Sequence, residues 1–303
     1  MINGILNINK ETGYTSHDVV AKLRGITKQK KIGHTGTLDP EARGVLLVCF
    51  GKATKACEYL TNKGKTYETV LLLGKSSDTQ DASGKILSER PTSHLTGEEV
   101  VDGIQEFVGV LDQVPPMYSA LKVNGKKLYE LAREGKEIER KPRKILIEEI
   151  NILEIDLPRV KLEVQCSKGT YIRTLCHDIG QRLGCGGLME ELLRTKVGHH
   201  TLEKSITIDE FRERFVSAQV DDVLMKVEDV FHDYPKFVLK DGAETLAYNG
   251  NPLPKEMVTE VFDLQHRDKI RLYDGHGAFI GIYQWMDAKG GEGKFKVEKM
   301  FLG

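Results

Sequence analysis

Six consecutive apolar residues, Val45-Leu46-Leu47-Val48-Cys49-Phe50, stand directly behind a segment punctuated by Gly33, Gly36, Pro40 and Gly44. Successive side chains of a strand point to opposite faces, so an unbroken apolar run of this length reads as a buried strand covered on both sides. No longer apolar run occurs in the chain, and a membrane-crossing helix needs about 20 such residues.

Short extended and helical stretches surround that strand. Ile5, Leu6 and Ile8 read as an opening strand, and Thr15 or Ser16 can cap a helix with Val19, Val20 and Leu23 on one face and Gly25 at its end. Ala53 to Leu60 reads as a helix, Thr66 to Leu73 as a strand and Asp78 to Gly84 as a turn. Thr96 and Glu99 have capping-box spacing ahead of an apolar stripe, Val100, Val101, Ile104, Phe107 and Val108. Asn124-Gly125 predicts a tight turn and Lys126 to Arg133 a basic helix. Val160, Leu162, Val164 and Cys166 alternate as a half-buried strand, and Ile172, Leu175, Cys176, Ile179 and Leu183 recur at helical spacing up to Gly184. The mixture has no regular βαβ rhythm, which predicts a layered α+β fold rather than a doubly wound parallel sheet.

A chain of 303 residues has the length of two domains with cores of their own. The stretch from Thr201 to Asp233 is acidic, with four Lys and Arg against nine Asp and Glu, and short β-like runs follow at Lys269 to Tyr273 and Ala278 to Tyr283. A boundary near residue 232 is expected, dividing the chain into 1–232 and 233–303. The formal net charge of −1 hides an uneven distribution: residues 1–200 carry 30 Lys and Arg against 26 Asp and Glu, and residues 201–303 carry 14 against 19. Cations bunch at Lys28, Lys30 and Lys31, at Lys122, Lys126 and Lys127, and at Arg140, Lys141, Arg143 and Lys144. A phosphate partner needs such a local basic surface, not a basic protein; a solvated face is the alternative for any one cluster. Met1 to Lys10 show no secretory or transit pattern, and the five cysteines are odd in number without a C-x-x-C pair. A cytoplasmic protein with reduced thiols is expected.

The common cofactor signatures fail on spacing. Gly64-Lys65-Thr66 would end a phosphate loop, but position 59 is Tyr; Gly275-His276-Gly277 is followed by Ile280; His199 and His200 are adjacent and project in different directions. No H-E-x-x-H occurs. No cofactor or metal is expected, and the chemistry falls to side chains.

Three segments remain. Gly33 to Gly44 sets Asp39-Pro40 in a glycine-punctuated loop; Lys65-Thr66-Tyr67-Glu68 enters a strand; Cys166 to Leu175 is a strand–turn–helix junction with Arg173 in the first helical turn. A cation there opposes the helix dipole, a cost that an anionic partner would offset. Taken together, these segments resemble the signature segments of the TruB family of tRNA pseudouridine synthases. The resemblance continues through Asp78-Thr79-Gln80-Asp81-Ala82-Ser83-Gly84, Pro116 to Lys122 and Gly125 to Glu130, covering about residues 1–230 in order. Where that family usually reads Lys-Pro-x-Gly-x-[ST]-Ser, this chain reads Lys10-Glu11-Thr12-Gly13-Tyr14-Thr15-Ser16, losing a rigid φ but no reactive group.

The resemblance implies a mixed, mainly antiparallel sheet flanked by helices, with a basic RNA-contacting insertion near 115–145. Beyond it, over 233–303, Phe237-Val238-Leu239 and Ala247-Tyr248-Asn249-Gly250-Asn251 resemble a small β-rich PUA-like RNA-binding domain, an ordinary stabilising β-domain being the alternative. It implies isomerisation of uridine-55 in the tRNA T loop to pseudouridine, with Asp39 as catalytic carboxylate, Arg173 as its ion-pair partner and Tyr67 stacked on the flipped uracil. His34 would hold the opened loop, and Tyr171 would line the pocket with its hydroxyl toward the Asp39–Arg173 pair. Lys10, Leu38, Lys122, Lys126 and Lys127 would join them in substrate binding. The expected partner is the tRNA T stem-loop, and the expected state is a monomer off the membrane. Two other readings stand beside this one: an RNA-binding or tRNA-folding protein without catalysis, and a metal-dependent hydrolase using His34 and Asp39, which a chelator would inhibit.

Overall fold

The computed structural model describes the chain apart from residues 124, 260–262, 289–290 and 303. In chain order its strands are β1 (Gly4–Lys10), β2 (Ile32–Thr35), β3 (Arg43–Phe50), β4 (Lys65–Leu73), β5 (Lys75–Ser77), β6 (Ile86–Glu89), β7 (Gly109–Gln113), β8 (Lys122–Val123), β9 (Lys126–Lys127), β10 (Arg143–Asp156), β11 (Arg159–Cys166), β12 (Gly187–Val197), β13 (His200–Thr201) and β14 (Leu224–Met225). A C-terminal set follows: β15 (Lys236–Val238), β16 (Leu253–Pro254), β17 (Lys269–Tyr273), β18 (Phe279–Ala288) and β19 (Gly291–Met300). The helices are α1 (Ser16–Thr27), α2 (Cys57–Thr61), α3 (Gly97–Gln105), α4 (Leu128–Arg133), α5 (Ile172–Arg182), α6 (Ile208–Val216) and α7 (Glu244–Tyr248).

The main sheet runs β14-β1-β3-β12-β4-β11-β10-β7, with β2 added to β3 and β13 to β12. Among the described residues its pairings are antiparallel except β12 with β3, the mixed, mainly antiparallel α+β architecture expected. The central strand β3 is covered on both faces. Leu46, Val48 and Phe50 pack with Val19, Val20 and Leu23 of α1 and Phe211 of α6. Val45, Leu47 and Cys49 pack on the other side with Ala53, Ala56, Phe231 and, from the C-terminal part, Ile282 and Phe301. Each such large side chain contributes about 1.5–3 kcal/mol by leaving water. The alternation expected for β11 is also present: Val160, Leu162, Val164 and Cys166 are buried and Arg159, Lys161 and Gln165 exposed. The C-terminal sheet, β15-β17-β18-β19-β16, closes over its own core of Phe237, Leu253, Ile270, Ile280, Tyr283 and Phe295.

Local boundaries depart from the sequence reading in four places. Helix α1 is capped by Thr15 with Asp18 completing the box, but it passes Gly25 and ends where Lys28 turns left-handed at φ 55°. The segment read as a helix over Ala53 to Leu60 is a 3-10 turn, Gly51–Ala56, running into α2. Lys126 and Lys127 pair with Val123 and Lys122 as a hairpin, so the helix starts later, at Leu128; Asn124 of that turn lies outside the described residues, and Gly125 takes φ +84°. Helix α3 begins at the expected box but stops at Gln105, short of Phe107 and Val108. The five cysteines are free thiols, four buried and Cys57 half-buried. No helix among the described residues is long and apolar enough to cross a membrane.

Gly44 marks where β3 meets β12. Its φ is +106°, and a Cβ there would lie 2.3 Å from the carbonyl oxygen of Arg194. Gly44→Ala therefore adds left-handed strain to a backbone clash and is expected to destabilise the protein by about 2–4 kcal/mol. Urea unfolding measures this as a lower midpoint at unchanged slope.

Candidate active site

The loop between β2 and β3 is held from several sides by the opening segment of the chain. Ser16 Oγ accepts a hydrogen bond from the Leu38 N–H at 2.9 Å and donates to the Leu38 carbonyl at 3.3 Å. The Pro40 carbonyl accepts from the Gly13 N–H at 2.9 Å and from Lys10 Nζ at 3.1 Å. Leu38 is buried in the same core as Tyr67, Ile172 and Leu175. Lys10 is fully buried beneath the loop; burial pushes its ammonium down to about 8, against the opposing pull of Asp39. Lys10 and Leu38 thus brace the loop from within. Between them the Ala42 N–H donates to the Asp39 carbonyl at 3.1 Å, so Asp39 sits in a tight, supported turn.

Arg173 meets Asp39 across 134 residues of sequence. Its Nε lies 3.0 Å from one carboxylate oxygen and its Nη2 3.3 Å from the other, a two-point contact that fixes direction as well as charge. The guanidinium also donates to the carbonyls of Thr79 at 3.1 Å and Tyr118 at 2.8 Å, and Asp81 stands 3.5 Å away. One buried arginine therefore gathers the segments 33–44, 78–84 and 116–122 around the start of α5. Asp81 is itself held by Thr79 and Ser83, whose hydroxyls donate to it at 2.7 and 2.6 Å. The Asp39 side chain stays 40% exposed. Protein nonetheless replaces most of its water: desolvation raises its carboxyl above the ordinary range, Arg173 opposes the rise and Asp81 adds to it.

Tyr67 projects from β4, opposite Val164 of β11 and Arg194 of β12, and is 8% exposed. Burial raises its phenol, the Arg194 guanidinium acts against the rise, and the Asp39 charge is close enough to add to it. Tyr171, immediately before α5, is fixed through its backbone: its N–H donates to Gln113 Oε1 at 2.8 Å, and Gln113 Nε2 donates to its carbonyl at 3.0 Å. Its hydroxyl faces Ser119; among the described residues no hydrogen bond joins it to the Asp39–Arg173 pair. His34, on β2, meets the His17 ring edge-on at 5.1 Å. Burial pushes its imidazole down to about 4, so it is neutral at physiological pH.

The basic hairpin β8–β9 hangs from the same place, since the Tyr129 N–H donates to the Ser119 carbonyl, next to Tyr118. Lys122 and Lys126 are exposed. Lys126 lies 3.7 Å from Glu134, and Lys127 Nζ donates to the Tyr129 hydroxyl at 3.0 Å. Three contributors were not singled out by sequence: Asp81, Gln113 and Arg194. Asp81 had a signal, because it lies within one of the signature segments; Gln113 and Arg194 fall outside them.

Comparison with known proteins converges on one family. The model described as the N-terminal domain of TruB family pseudouridylate synthase matches residues 24–172, and that of the tRNA pseudouridylate synthase B C-terminal domain matches 173–232. A tRNA pseudouridine synthase B of Lachnoclostridium phytofermentans is 49% identical over 99% of this chain and 100% of its own length; one of Clostridium perfringens is 42% identical over 99% of both. Among solved structures, a chain of an H/ACA ribonucleoprotein bound to a substrate RNA is 25% identical with a TM-score of 0.74, covering 99% of this chain and 85% of its own. A chain of a Cbf5-Nop10-Gar1 complex is 26% identical with a TM-score of 0.72 over 99% and 85%. These neighbours fit the pseudouridine synthase sheet followed by a β-rich, PUA-like C-terminal module. With nearly its whole length aligned to full-length relatives of a single name, the chain belongs to the TruB family of tRNA pseudouridine synthases, enzymes that isomerise uridine in tRNA to pseudouridine.

Proposed function

We propose that this chain acts on uridine-55 of the tRNA T loop, with Asp39 as the catalytic carboxylate, Arg173 as the cation that holds it ionised and aimed, and Tyr67 as the ring against which the extruded uracil rests. The observation that carries this reading is the two-point contact between the buried Arg173 and the half-exposed Asp39, with Tyr67 close enough for the Asp39 charge to act on its phenol. Binding alone has no need of a carboxylate desolvated and paired in this way.

Isomerisation breaks the bond between N1 and C1′, turns the uracil and joins C5 to C1′; a proton leaves C5 and one is gained at N1. Attack of the carboxylate on C1′, its addition to the uracil ring and removal of a sugar proton all require Asp39 to be ionised. Arg173 favours that state without occupying the exposed side of the carboxyl. A base inside a folded loop must first be extruded, at a cost of a few kcal/mol that stacking and hydrogen bonds in the pocket offset. Tyr67 and Tyr171 supply aromatic surface for that purpose, and a neutral His34, packed edge-on against His17, helps hold the opened loop without adding charge.

In this reading residues 1–232 form the catalytic unit, with Lys122, Lys126 and Lys127 on an RNA-facing hairpin, and residues 233–303 a separate RNA-binding module. The working unit in this reading is a monomer. The test is direct: incubate the full chain with an unmodified tRNA transcript and map pseudouridine by position. Conversion confined to position 55 is the expected result; conversion elsewhere, or none, overturns the assignment.

A further inference from the structure

Arg194 heads the fully buried side chains by volume among the described residues, at 1% exposure. It lies on β12 directly opposite Tyr67 of β4 and beside Gly44 of β3. Directly opposed residues of an antiparallel pair project from the same face, so guanidinium and phenol share one side of the sheet. Its Nε donates to the Val45 carbonyl at 2.7 Å and its Nη2 to the Gly36 carbonyl at 3.0 Å. These partners are neutral carbonyls from either side of the Asp39 loop, so the charge is held in place but not neutralised by them. Its field reaches Lys10, His34, Lys65 and Tyr67. A buried cation without a carboxylate is costly, and such groups concentrate where their charge is used.

We propose that Arg194 is the positioning residue that makes the Tyr67 phenol competent to move the C5 proton at the end of the isomerisation. The inference rests on the reading above, in which Tyr67 lies against the uracil. Once C5 has joined C1′, the C5–H bond breaks and its electron pair closes the C5=C6 double bond. The C6=N1 pair moves onto N1, which takes up a proton. The phenol passes its own proton toward N1 and receives the one from C5, so nothing is consumed and its oxygen passes through a negatively charged state. A buried phenol resists that charge. A guanidinium fixed in advance on the same face lowers the barrier without any rearrangement during the step.

The test separates this proton step from bond cleavage. Arg194→Gln and Arg194→Lys would be assayed in single turnover on tRNA carrying ordinary, 5-deuterated or 5-fluorinated uridine; fluorine at C5 blocks proton loss but leaves cleavage of the N1–C1′ bond open. The expected result for Arg194→Gln is pseudouridine formation slowed by about tenfold or more, a primary isotope effect with the deuterated tRNA, and cleavage of the fluorinated tRNA close to the parent rate. Arg194→Lys, which keeps the charge but not the fork, should fall between the two and still show the isotope effect. If Arg194→Gln does not fold, the Arg194→Lys isotope effect decides alone. Equal loss of cleavage and product formation, or no isotope effect in either variant, overturns the proposal and leaves Arg194 as a structural brace. Failure of the unsubstituted chain to modify the T loop would instead overturn the reading on which it rests.

Discussion

Asp39→Asn is expected to slow pseudouridine formation by on the order of 10⁴-fold or more, while tRNA affinity changes by less than about threefold. The amide matches the carboxylate in size and shape, so the loop that carries it keeps its supports: Ser16 on Leu38, and Gly13 and Lys10 on the Pro40 carbonyl. Arg173 keeps the carbonyls of Thr79 and Tyr118 and the neighbouring Asp81. What is lost is charge and basicity, which every available use of Asp39 requires. Affinity is set largely by phosphate contacts, and the exposed Lys122 and Lys126 of the hairpin do not involve Asp39. Single-turnover pseudouridine formation and filter binding on the same tRNA measure the two quantities side by side. Turnover within tenfold of the parent would remove Asp39 from the chemistry, and a parallel collapse of binding would recast it as a structural residue.

How much of this could be read in advance depended on whether a local period survives. Val160, Leu162, Val164 and Cys166 were legible because β11 has one buried face and an undisturbed two-residue alternation. The run Val45 to Phe50 was legible for the opposite reason: with both faces covered, nothing polar interrupts it. Strand β12 was not legible, since irregularities between Met189 and Glu191 and between Arg194 and Lys196 shift its register against β4. Each shift reverses which residues face the core, and Arg194 went unnoticed with it. The convergence of Asp39, Asp81 and Arg173 left no mark in spacing, because a long-range ion pair has no sequence period; only the resemblance brought Asp39 and Arg173 together. The full burial of Lys10 was illegible too. A lysine entering a turn looks exposed; its ammonium finds one partner locally, the Glu11 carbonyl, but the second, the Pro40 carbonyl, is met only after folding.

Arg173→Met is the second large effect, and its pH dependence distinguishes a catalytic ion pair from a merely structural one. Methionine fills part of the guanidinium's volume but leaves Asp39 without the cation that opposes its desolvation, with Asp81 still adding to the rise. The Asp39 carboxyl, already above its ordinary range, should climb further. A loss of about 10²–10³-fold in rate is expected near neutral pH. Because the reactive form is the ionised one, a higher pKa moves the acid limb of the rate profile to higher pH, so the deficit shrinks as pH rises. Stability responds in the other direction. A carboxyl whose folded pKa is raised binds more protons folded than unfolded, so folding weakens as pH rises from the unfolded pKa through the folded one. Removing one partner of a buried pair costs about 3–5 kcal/mol; with the Asp39 side chain 40% exposed and screened by solvent, about 2–3 kcal/mol is the better expectation here. That cost should be largest at neutral pH and relax in acid, where the raised Asp39 carboxyl takes up its proton and loses its charge. Urea midpoints and single-turnover rates measured between pH 5 and about 8.5 should therefore run in opposite senses, activity recovering toward alkali and stability toward acid. A variant whose rate simply followed its folded fraction would show Arg173 holding the turn together without governing the charge on Asp39.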